Sequence, residues 1–174
     1  MMKLRSCSLS TLAWLGLVLC ISRVIHAGEA DNRLSTEAII NLPNADAWAL
    51  FTSDEGLKAL GFTQASINLQ LGGRVQASGG AVALSSLDGE IISIDAGHML
   101  SFKPTDSPAN NQWGILYFTA MGKDMTQLRW LEFFPENQRA AATQHQQQIR
   151  RLFDQLIRRY APECELCKLE RQRN

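Results

Sequence analysis

The 174-residue chain lacks most of the features that announce a familiar chemistry. It carries no charge excess, because seventeen basic and seventeen acidic side chains balance. It has three histidines and four cysteines, too few for a metal-rich or disulfide-rich scaffold. No Ser-His-Asp order, phosphate loop or cluster of metal ligands at finger-like spacing occurs in it, so no metal and no cofactor is expected. There is no internal repeat, and the one biased stretch, QHQQQ at 144–148, reads as exposed helix surface. The single long apolar run, Leu9 to Ile21, is short for a bilayer span, which takes roughly 20 apolar residues, and Arg23 closes it.

The flanks of that run give it a meaning. Lys3 and Arg5 precede it, and SRVIHAGEA with its small residues Ala27, Gly28 and Ala30 follows. A charged start, a short apolar centre and small residues at the cut are the layout of a secretory signal. Residues 1–27 are therefore read as a removed signal peptide cut after Ala27, with Ala30 as the second choice and a retained anchor as the alternative. Cys20 follows Leu19 rather than a small residue, so lipid attachment is not expected. The mature chain is placed in the periplasm or outside the cell, with no stable membrane span. Its fourteen basic and seventeen acidic side chains give a net charge of −3, which argues against nucleic acid, a partner that needs a basic face.

Processing also removes Cys7 and Cys20 and leaves Cys164 and Cys167 in PECELC. Structural zinc takes four ligands, and only His98 and His145 remain to supply the others, at unsuitable spacing. A short local disulfide suits an oxidising compartment; intermolecular pairing and a redox role are the alternatives. About 147 residues bury roughly two thirds of the unfolded chain's surface, enough for a core without metal or disulfide.

The chain between the signal and the tail is punctuated clearly. LSTEAIINLP (34–43) reads as a strand that Pro43 ends. NADAWALFTSDEGLKAL (44–60) reads as two short helices, the first capped by Asn44, the second by Ser53 or Asp54 and closed by Gly61. Ala65, Ile67, Leu69 and Leu71 alternate with polar residues, the mark of a half-buried strand. Gly72-Gly73 then reads as a hairpin turn, because glycine permits the positive φ of tight hairpins. Gly79-Gly80 marks the next turn and Gly89 a bulge or bend. Further strands are expected around 85–95, 98–104, 113–121 and 125–134. From Glu136 to Tyr160 no Gly or Pro occurs, and Ile149, Leu152, Phe153, Leu156, Ile157 and Tyr160 recur at helical spacing. Arg158 and Arg159 complement the dipole at that helix's end. Residues 161–174 form a charged tail.

The sum is an α+β domain over residues 34–160: a curved antiparallel sheet of about six or seven strands wrapped on a long C-terminal helix, with two short helices after the first strand. INLPNADAWALFTSDEGLKAL, INLQLGGRV, LDGEIISIDAGHMLSF and GKDMTQLRWLEFF occur in that order. Together they resemble the SRPBCC (START-like, helix-grip) superfamily, in particular its branch of activators of the heat-shock-protein ATPase. The resemblance covers about residues 36–157. The chain departs from the branch at Leu60, where a Trp is usual, and at ATQHQQQ, where a Gly-Trp pair opens the last helix. The resemblance implies a helix-grip fold and a cavity between sheet and helix that holds a small hydrophobic or amphipathic molecule.

Strand parity for Leu128 and Trp130, and aromatic character for the others, nominate the residues of such a cavity. Phe102, Trp113, Tyr117, Leu128, Trp130 and Phe153 are its expected wall. Glu132 shares the parity of Leu128 and Trp130, so either it faces inward, which is costly for a carboxylate unless paired, or it sits wet at the strand end. His145 lies four residues before Ile149 and either joins the apolar stripe or stays half-exposed in the first turns. Three functions are compatible with these residues. The first is an exported binding protein for a small hydrophobic molecule, without catalysis. The second is a cyclase- or aromatase-like enzyme using Glu132 and His145 as acid and base. The third is a protein-interaction module.

Overall fold

The structure, a computed structural model, describes residues 32–82, 84, 86–105 and 112–160. The expected signal segment, its cut and the tail with Cys164 and Cys167 lie outside the described residues. Seven strands form one antiparallel sheet: β1 (Arg33–Ile40), β2 (Gln64–Ile67), β3 (Arg74–Ser78), β4 (Ser86–Asp95), β5 (Met99–Pro104), β6 (Trp113–Ala120) and β7 (Thr126–Phe133). Their spatial order is β1-β7-β6-β5-β4-β3-β2. Strands two to seven thus make a meander, and the first strand closes on the last. Helices α1 (Asn44–Thr52) and α2 (Asp54–Leu60) carry the chain from one sheet edge to the other. A short 3-10 turn, Glu136–Gln138, leads into α3 (Arg139–Arg159), which packs against β1 and the inner face. This is the expected α+β helix-grip architecture.

Period-two alternation places one residue set inside. Ala38, Ile40, Val75, Ala77, Ile91, Leu100, Phe102, Leu116, Phe118, Leu128 and Trp130 are buried. On α3 the stripe Ala142, Ile149, Leu152, Phe153 and Leu156 is buried against them, whereas Ile157 remains 40% exposed. Trp48 of α1 meets Phe118 edge-on at 5.1 Å, which anchors that helix to the sheet.

Several local expectations are corrected. Asn44 is the first residue of α1 rather than its cap; its side-chain amide instead donates to the Gly97 carbonyl at 2.7 Å. Ser53 does cap α2, accepting from the Gly56 N–H at 2.9 Å, and Gly61 closes it in a left-handed conformation. β2 stops at Ile67, so Leu69 and Leu71 belong to a loop, with Leu71 74% exposed. Gly72 takes a φ of +75°, but Gly73 does not. Gly73 is required for closeness instead, since a Cβ there would lie 2.0 Å from the Asn68 carbonyl oxygen. The turn is a folded loop locked by Gly72 N–H to Ile91 O and Ile91 N–H to Gly73 O, both 2.8 Å. The bulge in β4 falls between Ile91 and Ser93, not at Gly89, which pairs regularly with Val75 and Pro104.

Candidate functional site

The register of β7 runs without interruption against β1 and β6 through Phe133. Leu128, Trp130 and Glu132 therefore all face inward, and Glu132 is only 1% exposed. Burying an ionised carboxylate in an apolar interior costs several kcal/mol even after relaxation, unless hydrogen bonds replace its water. Three side chains do so. The Gln112 side-chain amide donates to Oε1 at 2.8 Å, the Trp130 indole N–H approaches Oε2 at 3.4 Å, and His145 Nδ1 lies 2.8 Å from the same Oε2. Gln112 sits immediately before β6, and His145 lies on α3 one turn before Ile149. The sheet, the helix and the segment leading into β6 thus converge on one carboxylate.

Trp130 is held by its neighbours. It lies in register with Leu116 on β6 and Thr36 on β1. Its ring spreads over Gly114, where a Cβ would come within 2.6 Å of the indole. It packs on Phe102 with ring centroids 5.1 Å apart and meets the His145 ring edge-on at 5.9 Å. The same indole forms part of the wall of an apolar cavity of about 30 Å³ between the sheet, α3 and α1.

Phe102, Trp130 and Phe153 line this cavity, joined by Leu116, Ile149 and Leu152. Leu128 is fully buried in the core but does not line it. Glu132 and His145 meet beside the Trp130 indole, outside the apolar lining. Trp113 and Tyr117 are corrected. They have the opposite strand parity to Leu116 and Phe118 and stand on the outer face, where Trp113 stacks on Phe133 at 4.1 Å and Tyr117 borders a shallow groove with Arg129 and Glu37. Both lie in an aromatic-rich strand, and composition alone does not reveal which face an aromatic takes. Sequence reasoning missed Gln112 and Gly114. Nothing marked Gln112 within its polar loop, whereas a glycine inside a strand signals a close approach. Among the described residues, no group of three His, Cys, Asp or Glu side chains is placed to hold a metal ion, and no helix is long and apolar enough to cross a membrane.

Solved structures with the same architecture identify the fold. A protein from Nitrosomonas europaea superposes with a TM-score of 0.55 at 14% identity, over 77% of this chain and 99% of that one. The chain has the START-like, helix-grip fold. A protein from Mesorhizobium loti is similar at a TM-score of 0.53 and 20% identity, over 75% of this chain and 99% of the other. An HSP90 activator from Plasmodium falciparum aligns at a TM-score of 0.48 and 18% identity, over 58% of this chain and 71% of that one. No family model and no curated protein matches the sequence. At these identities the likeness of this helix-grip domain to solved structures is one of fold.

Proposed function

We propose that this helix-grip domain binds a small, mainly apolar molecule between the sheet and α3, as an exported binding protein without catalysis of its own. One observation carries the reading: the Trp130 indole is shared between an apolar cavity and a buried polar cluster, lining the first and donating to Glu132 in the second. Sites for small molecules combine an apolar lining with a few placed polar groups, and Trp130 brings the two together. The cavity of about 30 Å³ has room for a guest of one or two water molecules. A larger ligand enters as the side chains of α3 and the facing strands part.

Glu132 and His145 are hydrogen-bonded to each other. They form one unit rather than an acid and a base facing a substrate from two sides, the arrangement the cyclase-like alternative requires. Export rests on the charged, apolar and small-residue pattern of the first 30 residues.

Native mass spectrometry of the purified protein tests the reading. A retained small molecule released on denaturation, or uptake of one from an apolar extract, is the expected result. A bare mass under both conditions contradicts it.

A further inference from the structure

We propose that Nε2 of His145, not the buried carboxylate, is the polar contact of this site, and that its ligand is a neutral molecule with a hydroxyl group on a small apolar body. The proposal rests on the ligand-binding reading above and names the ligand's chemistry.

The proton on the Glu132–His145 bond decides the first half. Gln112 and Trp130 donate to Glu132 at 2.8 and 3.4 Å, and His145 Nδ1 lies 2.8 Å from Oε2. An ionised carboxylate, which has only acceptors, suits all three. We assign the hydrogen of this contact to His145 Nδ1, directed at Oε2, which leaves the imidazole lone pair on Nε2. Glu132 is thus a positioning residue that fixes the ring's orientation and tautomer, as a carboxylate does for a metal-bound histidine. The two partners differ in access: the His145 side chain is 29% exposed and that of Glu132 2%.

The surroundings decide the ligand class. An ammonium ligand finds Oε1 engaged by Gln112 and Oε2 by Trp130 and His145. An anionic ligand meets the charge of Glu132 and an almost wholly apolar lining, which penalises an unpaired charge. A neutral O–H donor meets neither obstacle. A second observation points the same way. The Thr36 hydroxyl oxygen is buried with no hydrogen-bond partner, on the residue directly opposite Trp130 in the β1–β7 register. Its neighbour Ser35 accepts from Gln146, the residue after His145, so this stretch of β1 runs beside the same part of α3. A hydroxyl both donates and accepts. It matches a lone pair on Nε2 and an unspent hydroxyl on Thr36.

Phenol and toluene, which are nearly equal in shape, separate the two levels of the account. Binding of each to the full chain is followed by NMR titration, with the His145 tautomer read from ring-nitrogen shifts. Expected are binding of toluene, binding of phenol about fivefold tighter, and an unprotonated Nε2 in the free protein. His145→Ala should level the two affinities. Glu132→Gln, which keeps the side-chain shape, should move the ring away from the Nδ1–H tautomer and reduce the phenol preference while toluene binding persists. Thr36→Val should also reduce that preference. Toluene binding without a phenol preference, or a preference that survives His145→Ala, overturns the assignment of Nε2 and leaves the cavity reading standing. Failure of both compounds to bind overturns the cavity reading itself.

Discussion

The indole N–H of Trp130 reaches the carboxylate of Glu132, two residues further along the same strand, across 3.4 Å. In a strand, residues i and i+2 share a face, so one side chain of the core wall touches both the apolar interior and the one buried acid of β7. The arrangement explains why an ionisable residue persists at an inward position: its hydrogen bonds come from β7 itself, from the segment before β6 and from α3.

Removing the acid should therefore cost stability. Glu132→Leu matches the apolar surroundings but removes the acceptor of the Gln112 and Trp130 hydrogen bonds and the partner of His145 Nδ1. A loss of about 2 kcal/mol in unfolding free energy is expected, mainly from the buried indole N–H. Urea titration with the Trp fluorescence signal measures it. A gain in stability shows that the cluster contributes nothing to folding.

Gly114 is predicted to be sensitive to a single methyl group. Its missing Cβ is the space in which the Trp130 indole lies, 2.6 Å from where that atom would be. Gly114→Ala should displace the ring and cost about 1–3 kcal/mol, the usual penalty of overpacking a core. It should also shift the ring resonances of His145, which the indole touches edge-on. An unchanged melting temperature contradicts the placement of the indole.

The Ser53 cap lends itself to a simpler test. Its hydroxyl accepts from the Gly56 N–H at 2.9 Å. Ser53→Ala should lower stability by about 1 kcal/mol, measured by the same urea titration, while Ser53→Asp should retain most of it. Equal stability of all three proteins removes the cap from the account of α2.

On the outer face, Arg74 Nε and Nη2 each meet an oxygen of Asp88 at 3.0 Å across β3 and β4. Hydrogen bonds from the Arg74 guanidinium hold the Asp88 carboxyl below the usual carboxylate range, and burial opposes them. A lowered folded-state pKa means that the associated stability is present above the unfolded value, near 4, and is lost as pH falls through the folded one. The pair is largely solvated, so it contributes about 0–1 kcal/mol. Arg74→Ala should raise the Asp88 pKa in an NMR titration and remove this small acid-dependent term. An unmoved Asp88 titration contradicts the role of the guanidinium.

The architecture was largely legible in the sequence, and the reasons differ by element. The stripe from Ile149 to Leu156 has strict helical spacing because one face of α3 covers the sheet. Alternation in MTQLRWLEFF placed Leu128 and Trp130 on one side and left open only whether Glu132 followed them. Alternation misled at Leu69 and Leu71, where two apolar residues continue the strand pattern into a loop held by backbone hydrogen bonds that no side chain advertises. Trp113 and Tyr117 were assigned to the wrong face because a strand with Trp, Ile, Leu, Tyr and Phe is apolar on both sides. Gln112 was invisible because its role depends on where the segment before β6 meets the end of β7, a contact between residues 20 apart in the chain.

The most direct test of the central claim is a titration of the full chain with toluene, observed through the methyl resonances of Leu100, Leu116, Ile149 and Leu152. These four residues line the cavity from the sheet and from α3. The account predicts saturable shifts at all four and none at the exposed methyls of Ile39 and Leu71. Unmoved cavity methyls up to the solubility limit of toluene contradict the proposal that this fold opens to hold a ligand.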